Sequence, residues 1–195
     1  GAGRVLTMDL HSAQIQGFTH MPFDHLYARQ TVFKRLEQFC SEPDDTVILA
    51  PDVGRAPMAQ AYAKRLGVGF GLIDKRRTSP NKAEVVHLIG DMKDKKVIVM
   101  DDMIDTAGSM IGASDSAVES GAASVVALAT HALFSADASE RIMSSSIEKV
   151  IVTDTVNIAL DKRFDKLEII SVASLFADAI ANIHSGESVS ALFEV

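Results

Sequence analysis

Short runs of aliphatic and β-branched residues recur along the chain, and between them apolar positions fall three and four residues apart. The runs at 5–10, 46–50, 70–73, 97–100, 125–129, 150–153 and 167–170 read as strands, and the spaced stretches at 31–39, 56–66, 110–120, 138–144 and 173–184 as helices. Gly67 and Gly121 stand just beyond two of these helices, where a glycine commonly ends one. The strands are apolar throughout rather than alternating, which requires cover on both faces. The pattern therefore predicts an α/β fold, a parallel sheet flanked by helices. Ligands of such sheets gather beyond the carboxyl ends of the strands, and that is where the polar residues of this chain collect: Asp9-Leu10-His11, Pro51-Asp52, Asp74-Lys75-Arg76-Arg77 and Asp101-Asp102. There is no internal repeat and no low-complexity stretch.

The 195 residues, 47% of them hydrophobic, suffice for one large domain or for one domain plus a fragment of a second. A net charge of -7 argues against a nucleic-acid surface, which needs clustered positive charge, so a polyanionic ligand would depend on local cations or metal. Cys40 is the single cysteine, which excludes an internal disulfide and fits a reducing compartment. No apolar run is long enough to span a membrane and no signal-peptide pattern opens the chain. These features read as a cytoplasmic protein with neither a membrane nor a nucleic-acid partner.

Residues 98–109, Ile-Val-Met-Asp-Asp-Met-Ile-Asp-Thr-Ala-Gly-Ser, carry the strongest chemistry. An apolar strand delivers three carboxylates and a small-residue turn to one helix start, an arrangement suited to a phosphorylated sugar. Asp101, Asp102 and Asp105 can accept from ribose hydroxyls directly or through a divalent cation. The backbone N–H groups of Thr106, Ala107, Gly108 and Ser109 face the phosphate. Gly108 is expected to give the turn its freedom and Ser109 to cap the helix. Acidic residues after a strand ordinarily just solvate a loop, but two adjacent carboxylates repel and call for a cation or hydroxyl partner.

Three further clusters belong with this one. His11, at a strand end, can ligate a metal or bond a phosphate, although a lone histidine is more often structural. Asp52 precedes a helix, where a capping carboxylate is common. With Val53 and Gly54 it can instead serve a diphosphate, Asp52 as a ligand of Mg²⁺, which favours one or two carboxylates plus substrate phosphate oxygens. Lys75, Arg76 and Arg77 are the densest basic cluster and run into a loop-like 78–82. A mobile cationic loop there can close over a transferring phosphoryl group.

Thr7-Met8-Asp9-Leu10-His11 with Gln14-Ile15-Gln16-Gly17-Phe18, Pro51-Asp52-Val53-Gly54, Asp74-Lys75-Arg76-Arg77, residues 101–109, Ala129-Thr130-His131 and 186–193 together resemble the ribose-phosphate pyrophosphokinases, or phosphoribosyl pyrophosphate synthetases, in the right order from end to end. The resemblance implies a type I phosphoribosyltransferase-like domain. It also implies transfer of the diphosphoryl group of MgATP to O1 of ribose 5-phosphate, a reaction that asks mainly for positioning and charge neutralisation. It assigns His11 and Asp52 to Mg²⁺ and ATP phosphates, with Val53 and Gly54 in the diphosphate loop. Lys75 and Arg77 fall to the catalytic flexible loop, and Asp101, Asp102 and 105–109 to ribose 5-phosphate. It further implies a homo-oligomer, dimers assembling to a hexamer in the complete enzyme, regulated by inorganic phosphate and ADP. Asp24, Ser188, Ser190 and Phe193 match the effector segment, while His25 replaces an Asn and would bring pH dependence near its own pKa.

Two departures stand out. Gly54 is followed by Arg55 where the family usually has a second glycine. The opening Gly1-Ala2-Gly3-Arg4 resembles the middle of the family's sequence, so residues 1–27 read as the remnant of a first domain and its linker. Residues 28–181 read as the phosphoribosyltransferase-like domain, and 182–195 as a segment that packs back on the first domain. Adenine-binding residues would lie in the missing portion. A nucleobase phosphoribosyltransferase would share 101–109 but have no use for Asp9-Leu10-His11 or Lys75-Arg76-Arg77. A non-catalytic regulatory subunit of the synthetase would tend to lose catalytic positions that are present here.

Overall fold

The computed structural model describes residues 1–77 and 84–192, giving the backbone course alone for 75–77, 84–86 and 191. Strands β1 (Val5–Met8) and β2 (Phe23–Leu26) come first, then α1 (Arg29–Phe39), β3 (Thr46–Ala50), α2 (Ala56–Leu66), β4 (Gly69–Arg77) and β5 (Glu84–Ile89). They are followed by β6 (Lys96–Ile104), α3 (Gly108–Glu119), β7 (Ser124–Ala132), α4 (Ala138–Met143), β8 (Lys149–Thr153), β9 (Leu167–Ile170) and α5 (Ala173–Ser185). Gly67 ends α2 in the left-handed region at φ 70°, and Gly121 follows α3 at φ 90°, as expected.

The main sheet runs β5-β4-β3-β6-β7-β8-β9, and every neighbouring pair is parallel except β4 and β5. Alternation along the central strands divides the core in two. Val47, Leu49, Val97 and Val99 face one layer with Met110, Ala113 and Ala117 of α3. Ile48, Ala50, Ile98 and Met100 face the other with Ala59 and Ala63 of α2, Leu36 of α1 and Ala179 of α5. Burial on both faces is why these strands carry no polar alternation until their carboxyl ends.

Four expectations need correction. The first strand is not part of the main sheet: β1 pairs in parallel only with β2, Val5 opposite Phe23, in a separate two-stranded sheet. β2 itself escapes the reading because Asp24 and His25 interrupt its apolar pattern. β5 escapes it too, although Val85-Val86 and Leu88-Ile89 carry a strand signal, and it runs antiparallel to β4. Finally, Asp101 and Asp102 do not follow their strand but lie inside it, because β7 extends alongside as far as Ala132 opposite Ile104.

The carboxyl-terminal stretch packs on this same domain. Val189 is buried in the layer with α1 and α5, and Gln30 Nε2 of α1 donates to the Leu192 carbonyl at 3.1 Å. Among the described residues no helix is long and apolar enough to cross a membrane.

Candidate functional site

Strand β6 delivers Asp101 and Asp102 to a cleft of about 230 Å³, lined by 101–110 together with His11, Asp52 and Arg55. Both carboxylates are buried, 8% and 5% exposed, so charging them has to be offset by partners. Asp101 Oδ1 accepts the Asp102 backbone N–H at 2.8 Å, and Asp102 Oδ1 is a buried oxygen without a hydrogen-bond partner. Burial first, then the neighbouring Asp102 carboxyl, pushes the pKa of Asp101 up to about 7.

The turn after β6 completes the cleft. Ala107 precedes α3 in the left-handed region, φ 62°, and Gly108 is already the first residue of the helix. The conformational demand expected of Gly108 therefore falls on Ala107, and Ser109 sits inside the first turn rather than at the cap. The first N–H groups of a helix have no intrahelical partner and carry the positive end of its dipole. Here they come from the stretch predicted to face a phosphate. A cation that sequence reasoning missed stands beside them: Arg141 Nη1 of α4 donates to the Thr106 carbonyl at 2.8 Å. No motif announces it, since it lies 35 residues along the chain.

His11 reaches the cleft from the loop after β1. Its Nδ1 lies 2.8 Å from Asp102 Oδ2 and 2.9 Å from Arg55 Nη2. One ring nitrogen cannot do both in a neutral imidazole: protonated it donates to the carboxylate, unprotonated it accepts from the guanidinium. This loop is clamped to the main sheet through Asp9, which sits at φ 42°. Asp9 Oδ2 accepts from the Thr130 hydroxyl at 2.7 Å and from the Ala28 N–H at 3.2 Å. The His131 Nε2–H donates to the Asp9 carbonyl at 2.9 Å, and Nδ1 of that ring lies 2.8 Å from the Thr155 Oγ1. Ala129-Thr130-His131 thus joins the site through the backbone it holds.

Asp52 and Gly54 begin the short turn before α2. Asp52 Oδ1 accepts the Arg55 N–H at 3.1 Å, so the carboxylate caps the one-turn helix 53–55 and not α2, whose N-cap is Arg55 without a side-chain bond. A Cβ on Gly54 would stand only 3.1 Å from that oxygen, which is why the position suits glycine. Val53 is exposed. The side chain of Arg55 returns across the cleft, its Nε 3.1 Å from Asp101 Oδ1 and its Nη2 3.2 Å from Asp102 Oδ2. Arg55 is a second site residue whose role sequence reasoning missed, although its place in a glycine position was the signal.

Two carboxylates, one with an orphaned oxygen, and an adjacent imidazole suit a hard divalent cation that takes its remaining ligands from a phosphorylated substrate. Among the described residues no three His, Cys, Asp or Glu side chains are gathered as a metal cage. Mg²⁺ seldom uses such a cage, so the donor set fits it.

The other predicted residues lie elsewhere. Lys75 and Arg77 fall in β4, opposite Val86 and Glu84 of β5, and not in a loop: the charged cluster does not end the strand because β5 continues to pair with it. Their side chains, residues 78–82 and Phe193 lie outside the described residues. Asp24 is paired with Arg4 at 2.5 and 2.9 Å. His25, next along β2, projects to the opposite face. Its Nε2 accepts the Leu10 N–H at 2.8 Å, and burial lowers its pKa, against the pull of Asp9, so it does not titrate near its ordinary value. Ser188 accepts the Ser190 N–H within its own turn.

The family model described as the phosphoribosyl synthetase-associated domain matches residues 73–194. A ribose-phosphate pyrophosphokinase of Clostridium acetobutylicum is 44% identical over 194 residues, 100% of this chain and 61% of that protein. One from Aquifex aeolicus is 45% identical over 193 residues, 99% and 61% of the two. The crystal structure of phosphoribosylpyrophosphate synthetase from Mycobacterium smegmatis superposes with a TM-score of 0.88 at 37% identity, over 95% of this chain and 60% of that one. The chain thus spans about three-fifths of the length of the relatives it matches.

Proposed function

Since this chain belongs to the phosphoribosyl synthetase-associated family, we propose that its cleft binds ribose 5-phosphate and that the complete protein transfers the diphosphoryl group of MgATP to the sugar's O1. The observation that carries the reading is the convergence of four acidic residues and the start of α3 on one cleft. The dipole and free N–H groups of α3 hold the 5-phosphate, with Arg141 adding charge at the Thr106 carbonyl. Asp105 accepts from the ribose hydroxyls, and Asp101 and Asp102 orient the same face of the sugar.

His11, Asp102 and Asp52 would hold Mg²⁺, which when bound neutralises charge between the two phosphorylated substrates. The turn 52–55 receives the diphosphate, and Lys75 and Arg77 stabilise the charge that develops on the transferred group. In this reading residues 1–27 end a preceding domain and 182–195 also touch it. The complete protein is a cytoplasmic homo-oligomer, dimers building a hexamer, and inorganic phosphate or ADP acts through Asp24, His25, Ser188, Ser190 and Phe193.

Calorimetric titration of the chain with ribose 5-phosphate tests the proposal. Saturable binding is expected, and Asp105→Asn should weaken it about tenfold while leaving the circular dichroism unchanged, the scale of one charge-assisted hydrogen bond. Equal affinity in the two proteins would remove Asp105 from the site, and no binding to either would remove ribose 5-phosphate.

A further inference from the structure

The guanidinium of Arg55 stands on the carboxylates that a divalent cation would use. It touches Asp101 Oδ1 and Asp102 Oδ2 at 3.1 and 3.2 Å and His11 Nδ1 at 2.9 Å, so one side chain holds three of the site's donors. Its own side chain is only 20% exposed, and the acidic side chains are 10% and 6% exposed, so water screens these contacts little. We propose that Arg55 is a tethered resident cation of this site, one that competes with the divalent cation for Asp101, Asp102 and His11. The inference rests on the proposed cation role of His11 and Asp102 and extends it to Asp101, whose Oδ1 the same guanidinium touches.

The physical reason is charge balance. Two neighbouring carboxylates, both nearly buried, are stable only with positive charge beside them. The guanidinium supplies one unit in a planar fork, on a side chain whose backbone N–H is held by Asp52. A divalent ion on the same oxygens would place two units beside it, and like charges a few ångströms apart in a screened-off cleft repel strongly. Binding of the ion therefore requires the guanidinium to leave. It remains anchored at the turn proposed for the diphosphate, so the freed charge stays beside the phosphates. A glycine at this position would leave the carboxylates to the ion alone.

Binding of Mn²⁺ to the 195-residue chain, read by the loss of its free-ion electron paramagnetic resonance signal, separates this from a general field effect. Arg55→Gly is expected to bind Mn²⁺ about tenfold more tightly than wild type, the scale of releasing one opposing charge from a partly buried pair. Arg55→Gln should gain nearly as much while keeping the side chain's bulk. Arg141→Gln, which removes a cation held at the Thr106 carbonyl, should change the affinity less than about twofold, as expected for a screened charge. Unchanged or weaker Mn²⁺ binding in both Arg55 variants, with the fold intact by circular dichroism, would overturn the proposal, as would an equal gain from Arg141→Gln. Absence of saturable binding in every protein would overturn the cation role of the carboxylates, and this inference with it. Neither result bears on ribose 5-phosphate, which is titrated separately.

Discussion

The two strands that feed the cleft are built on different principles. β6 lies in the middle of a seven-stranded sheet, flanked by β3 and β7, with Val97, Ile98, Val99 and Met100 all buried ahead of Asp101. β1 pairs only with another four-residue strand, and its residues 5–7 are half-buried. The loop it sends to the cleft is held through Asp9 by hydrogen bonds from Thr130, Ala28 and His131. Chemistry on β6 inherits rigidity from apolar packing on both faces. Chemistry on the β1 loop depends on a few polar contacts made over long sequence distances. A site so assembled has one wall that fails only with the whole fold and one that can loosen by itself.

That difference predicts unequal costs of truncation. Ile98→Ala should destabilise the chain by about 2–5 kcal/mol, the range for a buried isoleucine in a core that cannot collapse. Leu6→Ala, on the half-buried β1, should cost about 1 kcal/mol or less, nearer the effect of a surface change. Urea denaturation of both variants decides, and equal losses would mean that β1 is as integral to the core as β6.

The carboxylate on β6 offers a sharper probe, because the fold tolerates it at a cost. The pKa of Asp101 in the folded protein is raised to about 7, above its unfolded value, so the folded state binds its proton more tightly. Its contribution to stability is therefore full below about pH 4 and is lost as the pH rises toward and through about 7. Asp101→Asn should grow more stable relative to wild type from about pH 4 to about pH 8. Parallel stability profiles of the two proteins would show that the carboxyl ionises normally.

The clamp on the β1 loop tests the same division with a hydrogen bond in place of packing. Thr130→Val keeps the shape of the buried side chain but removes the donor to Asp9, and should cost about 1–3 kcal/mol. It should also speed amide exchange in residues 9–12 more than in β6. Uniform acceleration across both would merge the two walls into one cooperative unit.

How much of this was legible in the residues follows the same division. The stretch 98–109 is contiguous, so its apolar run, its carboxylates and its helix start could be read together, and the structure folds them into one cleft. The central strands and the α-helices among the described residues were legible because their periodicity reports local burial. The pairing of β1 with β2, the antiparallel turn of β5 and the length of β4 through Arg77 were not, since each depends on which distant strand lies alongside. His25 read as a group titrating near its ordinary pKa, and only its burial against Leu10 shows otherwise.

By itself, then, the sequence determined an α/β chain with a parallel core, the order of its main elements, and one continuous acidic and small-residue corner fit for a sugar phosphate. Only the tertiary structure decided that Ala107 rather than Gly108 takes the left-handed turn. It also decided that Thr130 and His131 hold the loop of Asp9 from 121 and 122 residues away, and that Arg55 lies between His11 and two carboxylates. Periodicity and turn preference are set by neighbours in the chain, whereas hydrogen bonds and ion pairs are set by neighbours in space, and a guanidinium finds its carboxylates only once β3 and β6 lie side by side.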